Sequence, residues 1–140
     1  GSIPDPQLLG TGSLGLSEVL IRLGDFDGGY NRLILAFKII TKLESRYKLG
    51  DVYRIFGLLH RNLGLLDLAA ANFEVALEIN AEAGNLLNLC ETYYEYSVLA
   101  DIKADMITRK QYLQRSLAYA EAMRAVPRIN RLQKEIDTLT

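Results

Sequence analysis

The chain has 140 residues, enough for one domain that buries roughly two-thirds of its unfolded surface. Hydrophobic residues make up 49% and charged residues 24%, and the net charge of −1 lacks the basic excess of a nucleic-acid binder. A single cysteine, Cys90, excludes an internal disulfide and fits a reducing, cytoplasmic setting.

Residues 1–12 hold Pro4, Pro6, Gly10 and Gly12 and are expected to form an irregular arm before one helical domain over 13–139. Ser13 is placed to cap a first helix to about Leu23, with Leu16, Val19, Leu20 and Leu23 on one face. Gly24 to Asp27 is a turn, and Asp27 is placed to cap a second helix from about Gly28 to Tyr47. Its apolar face is Leu33, Ala36, Phe37 and Ile40. A third helix is expected to start at Gly50-Asp51, where Asp51 suits the positive end of the helix dipole. A fourth runs from about Leu66 to the stop at Ala83-Gly84, and a fifth from about Asn85 to Ala100. A sixth runs from about Asp105 to Ala125. The last starts at Pro127 and runs to Leu139, with Ile129, Leu132, Ile136 and Leu139 on one face. No basic-then-apolar leader is seen. The longest apolar run, Leu33 to Ile40, contains Lys38 and is too short to span a bilayer, so no membrane role is expected.

The stretch from Gly50 to Ala81 recurs at one constant offset in either direction. Gly64 aligns with Gly24 and Ala104, Gly57 with Ser17 and Ser97, Phe73 with Leu33 and Leu113, and Ala76 with Ala36 and Ser116. Small stays small and large stays large, as helices crossing at fixed points require. Ala69 aligns with Gly29 but also with Arg109, which breaks the rule. Lys38 and Lys42 precede Glu78 and Glu82 by the same offset. They are expected on an outer face, attracting one another across neighbouring copies.

The middle copy resembles a tetratricopeptide repeat. Tyr53, Phe56-Gly57, His60, Gly64, Ala69, Phe73 and Ala76 match the family's aromatic, Leu-Gly, Tyr, Gly, Ala, Phe, Ala order. His60 stands for the usual Tyr and Ala81 for the usual Pro. The period of 40 exceeds the usual repeat of about 34 residues. Residues 76–91, A-L-E-I-N-A-E-A-G-N-L-L-N-L-C-E, resemble the longer-period variety of bacterial regulatory proteins. The likeness covers about residues 10–125. It implies an all-α, right-handed superhelix of three helical hairpins, at about 10–49, 50–89 and 90–126, closed by a capping helix over 127–139.

The resemblance also implies a way of working: partners lie in a concave groove lined by the first helix of each hairpin. Carried onto this chain, the groove takes Glu18 and Arg22 from the first copy and Arg54, Leu58, Arg61 and Asn62 from the second. Tyr94, Val98 and Asp101 come from the third, and Arg131 and Lys134 from the final helix. Arginine and tyrosine are the types that dominate binding hot spots. A protein or peptide segment with an acidic residue beside an apolar one is the expected partner, held without catalysis, within a larger bacterial regulator. Two alternatives are a peptide-responsive sensory module and a homo-oligomerisation unit. The family's carboxylate clamp is not expected, because Leu14 and Glu18 occupy its places.

No enzymatic chemistry is expected. The lone histidine, His60, has no carboxylate three or four residues away, and Cys90 has no nearby base in sequence. Asp25 and Asp27 lack the remaining ligands of a calcium loop, and Gly24, Gly28 and Gly29 lack the lysine of a phosphate loop. Neither metal nor cofactor is therefore expected. Tyr93 and Tyr96 read as packing residues rather than base-stacking ones. Charge is banded along the chain. Residues 22–61 hold eight basic and four acidic side chains, net +4; residues 67–105 hold one and eight, net −7; residues 109–134 hold seven and one, net +6. Pairing between adjacent copies accounts for the bands, as would association with a second molecule.

Overall fold

A computed structural model describes residues 5–139, which form seven α-helices and no strand. They are α1 Pro6–Arg22, α2 Phe26–Lys42, α3 Arg46–Asn62, α4 Leu66–Ala83, α5 Leu86–Ile102, α6 Met106–Ala122 and α7 Val126–Asp137. The odd-numbered helices start at 6, 46, 86 and 126, and α2, α4 and α6 start at 26, 66 and 106. The recurrence in the sequence is thus a recurrence of helix starts. None of these helices is long and apolar enough to cross a membrane.

Each break is made by one residue in the left-handed region. Positive φ occurs at Gly24, Glu44, Gly64, Gly84, Ala104 and Arg124, evenly spaced with one at each break. Two of the three without glycine, Glu44 and Arg124, explain why the ends of α2 and α6 differ from expectation. α2 stops at Lys42 rather than Tyr47, because the chain reverses at Glu44 with φ 53°. α6 stops at Ala122 rather than Ala125, ahead of Arg124 with φ 55°.

Other boundaries are also corrected. Residues 6–12 are not an irregular arm but the first turns of α1. Asp5, not Ser13, caps that helix, accepting from the Gln7 amide at 2.9 Å, and Pro6 sits at a first-turn position where its missing N–H costs nothing. Residues 1–4 of the expected arm lie outside the described residues. Asp25, not Asp27, caps α2 through the Gly28 amide. α3 begins at Arg46, so Asp51 lies inside the helix and serves Arg54 rather than the helix dipole.

Connections this short leave room only to reverse direction, so neighbours are antiparallel. Side-chain contacts agree. In α3 and α4, His60 meets Asn72 near one end, and Gly50 faces Asn80 near the other. The odd-numbered helices are parallel, since their ion pairs keep a nearly constant offset: Glu18 with Arg54, Arg54 with Glu91, and Glu91 with Arg128. Backbones approach between sequence neighbours and between α1 and α3 and α3 and α5, and between no other helices among the described residues.

Packing follows paired positions. Gly57 leaves room for the ring of Phe73, which is wholly buried, while the corresponding Ser17 and Ser97 belong with the smaller Leu33 and Leu113. A Cβ on Gly29 would lie 2.6 Å from Ile21, so only glycine admits that isoleucine. In the third copy the same two positions hold Arg109 and Asp101, which form an ion pair at 3.2 Å. The apparent break in the small-residue rule is therefore a swap of a packed pair for a charged one. Three apolar clusters follow one another along the chain. One joins α1, α2 and α3, with Leu14, Ile21, Leu33, Ile40, Ile55 and Leu58. A second holds Ala69, Phe73 and Leu99, with Tyr96 against it, and a third holds Cys90, Leu113, Ala120 and Leu132. Tyr96 stacks on Tyr112 with centroids 4.3 Å apart, and Tyr93 contacts Tyr112 and Tyr119, so both serve packing. Lys38, Lys42, Glu78 and Glu82 are exposed as expected, but Glu82 pairs with Arg46 at 3.0 Å.

Candidate functional site

Because the odd-numbered helices are parallel, each turns one face toward the next. Four charged side chains alternate in sign across that shared face. Glu18 of α1 takes Arg54 of α3 at 2.9 Å, Arg54 reaches Glu91 of α5 at 3.6 Å, and Glu91 takes Arg128 of α7 at 3.0 Å. A second strand of pairs runs beside it. Arg22 bonds Glu18 at 2.9 Å and Glu95 at 2.7 Å, tying α1 directly to α5, and Arg61 donates to Glu95 at 2.6 Å. Asp51 holds Arg54 within α3 at 2.7 Å. Four arginines and four carboxylates make up this ladder, so it is neutral overall.

Three of its members are nearly sealed: Arg54 is 3% exposed, Glu95 4% and Arg61 8%. Buried ions persist only when paired and hydrogen-bonded. Burial alone would push the Glu18 carboxyl up, but the hydrogen bonds and charges of Arg54 and Arg22 outweigh it and hold its pKa below the ordinary value. Burial likewise opposes the Arg54 cation, and Asp51 and Glu18 more than restore it.

The ladder floors a cavity of about 290 Å³, to which α1, α3, α5, α6 and α7 all contribute. Glu18, Arg22, Arg54, Glu91, Glu95 and Arg128 are charged members of its lining, and Cys90, Ser116, Leu132, Tyr94 and Arg131 complete it. Tyr94 is half-buried; burial first, then Glu135 and Glu95, raise its pKa and keep the phenol protonated. Arg131 is exposed and makes no ion pair among the described residues. It is the one charge in the lining left over after the ladder is balanced.

The groove residues expected from sequence divide accordingly. Glu18, Arg22, Arg54, Tyr94 and Arg131 meet in the cavity. Arg61 lies one step behind, through Glu95. Leu58 is wholly buried in the core and offers no surface. Asn62 and Asp101 are exposed at the last turns of α3 and α5, where Asp101 is held by Arg109. Val98 is half-buried outside the lining, and Lys134 is exposed and lines a separate shallow depression with Arg131 and Glu135. The expectation that Arg54, Leu58 and Arg61 point at a partner is thereby corrected, since two are sealed in ion pairs and the third is core.

Sequence reading missed Asp51, Cys90, Glu91, Glu95, Ser116, Arg128 and Leu132 as neighbours of the site. A signal for the ladder existed. Glu18, Arg54, Glu91 and Arg128 alternate in sign at spacings of 36 to 37, one helical turn short of the repeat.

Nucleophile chemistry is not assembled here. Cys90 and Ser116 approach at 3.3 Å, but both are buried, and Ser116 donates to the Cys90 carbonyl at 2.8 Å. His60 lies in the α3–α4 pair, with Nδ1 2.8 Å from the Asn72 amide nitrogen and its ring stacked on Phe56. Among the described residues no three His, Cys, Asp or Glu side chains gather as metal ligands. No family model matches the chain, and no curated protein matches it.

Proposed function

We propose that this chain is a non-catalytic binding module of the tetratricopeptide type. Its hairpins α1–α2, α3–α4 and α5–α6 form a right-handed superhelix, and α7 caps it. The concave side receives a segment of a partner protein, within a larger cytoplasmic regulatory protein of a bacterium. Support for the architecture comes from the constant interval between helix starts and from backbone approach confined to neighbouring and next-neighbouring helices.

One observation carries the binding role: the first helices of all copies and α7 converge on a single cavity whose charges are balanced except at Arg131. An acidic side chain of the partner binds Arg131, and an apolar neighbour lies against Tyr94. Arginine suits this because its planar group pairs with a carboxylate through two parallel hydrogen bonds. Arg54 and Arg61 stay with their internal carboxylates and shape the floor.

Selection from a displayed library of random peptides tests the reading. The parent should enrich peptides with an acidic residue beside an apolar one. Arg131→Glu combined with Lys134→Glu should lose them while keeping its helical circular-dichroism signal. Failure of the parent to enrich any such peptide, or equal enrichment by the variant, would contradict the proposal.

A further inference from the structure

Turns at the ends of packed helices are ordinarily polar. Here they are not. Of 18 exposed large hydrophobic side chains among the described residues, 12 fall in the six inter-helix turns and the helix ends beside them. They form two separate edges, because parallel odd-numbered helices put the α1–α2, α3–α4 and α5–α6 turns at one end and the α2–α3, α4–α5 and α6–α7 turns at the other. On the first edge stand Leu23, Leu63, Leu65, Leu68, Ile102, Met106 and Ile107, the most exposed at 76%. On the second stand Leu43, Tyr47, Leu86, Leu87 and Val126.

The edges carry opposite charge. Across 22–28, 62–68 and 102–108 there are two basic and four acidic side chains, net −2. Across 42–48, 82–88 and 122–128 there are five basic and two acidic, net +3. Helix capping explains part of the acidic edge, where Asp25 and Asp105 bond backbone amides. It does not explain the basic one. Arg46 and Lys48 in the first turn of α3, and Arg128 in that of α7, oppose the helix dipole, and neither α3 nor α7 has a side-chain cap. Lys42 and Arg124 make no ion pair among the described residues.

We propose that the acidic edge of one molecule docks on the basic edge of a second copy of this chain. Two features select a second copy. The apolar and charged halves of the contact are both present on one chain, and both edges repeat with the same period, so successive turns on one can meet successive turns on the other. The contact joins two different surfaces, so it is head-to-tail and does not close at a dimer. Apart from Arg22 and Arg128, which line the cavity, the two edges lie outside it, and the contact does not rest on peptide binding there.

Sedimentation of the full chain over increasing concentration tests this. Mass should rise past twice the 15.7 kDa of the monomer, and raised salt should shift the rise to higher concentration. Two variants separate the edges: Leu63→Ser, Leu65→Ser and Ile107→Ser on the acidic one, and Leu43→Ser, Tyr47→Ser and Val126→Ser on the basic one. Each should keep its helical signal and stay monomeric alone, and their mixture should give a one-to-one dimer of doubled mass. A parent that stays monomeric throughout, or either variant self-associating as the parent does, would overturn the proposal.

Discussion

Ala104 reverses the chain with φ 57°, a conformation that an L side chain adopts at a cost and glycine does not. Ala104→Gly should therefore stabilise the fold by about 0.5–1 kcal/mol, read as a higher denaturant midpoint with an unchanged slope. A loss of stability would mean that the alanine methyl is packed. Asn80 offers a second case. It is fully buried against Gly50, and neither atom of its amide finds a hydrogen-bond partner in the protein. Its counterparts in the neighbouring copies are Ile40 and Ala120. Asn80→Leu keeps much of the volume and removes the orphaned groups, so it should raise stability by about 1–3 kcal/mol. A lower thermal midpoint would refute that reading. The turn at Gly24 was legible because glycine marks it; those at Glu44 and Arg124 were not, since both residue types sit comfortably inside helices. The glycines misled in the other direction at Gly10. It is a close-approach residue, 3.1 Å from Ile39 for an added Cβ, and not a helix breaker.

The inner helices are locked together by the ladder, and its members behave as a unit. Arg54→Met leaves Glu18 and Asp51 without their shared buried partner, and breaking such a contact costs about 3–5 kcal/mol. Chemical denaturation should show a loss of that order; a change below about 1 kcal/mol would mean that the pairs are not coupled to the fold. The same unit predicts a pH dependence. Glu18 has a folded pKa below its ordinary 4.5, so the stability it contributes is complete above that value. That stability is lost as pH falls through the lowered folded value. Glu18→Gln should flatten the melting-temperature profile in this acidic window and leave its shape above about pH 6 unchanged. An unchanged acidic slope would remove Glu18 from the account. At the far end, α7 keeps the helix register but not the packing positions of the earlier copies. Asn130 and Asp137 stand where Gly50 and Gly57 receive Asn80 and Phe73 of α4. The single apolar face of Ile129, Leu132, Ile136 and Leu139 was readable in the sequence, and it packs with the third cluster.

At the scale of the whole molecule, the basic–acidic–basic banding resolves into pairs between copies. Arg22, Arg54 and Arg61 of the first band meet Glu91 and Glu95 of the second, and Glu91 meets Arg128 of the third. Composition and spacing revealed the helices and their period because local periodicity determines both. They did not reveal which arginines were spent internally, because that depends on the offset between parallel helices, one turn short of the period. Reading the groove from each helix alone thus named Arg54 and Arg61 as open and left Arg131 among many. The central claim is that a partner engages the opening at Tyr94 and Arg131 while the ladder beneath stays paired. An amide NMR titration of the full chain with a selected acidic–apolar peptide tests it most directly. Shifts should concentrate in residues 91–98 and 128–134, and Arg131→Ala should weaken binding about 10- to 100-fold, the range of a hydrogen bond to a charged group. Shifts confined to the outer faces of α2, α4 and α6, with affinity unchanged in Arg131→Ala, would contradict it.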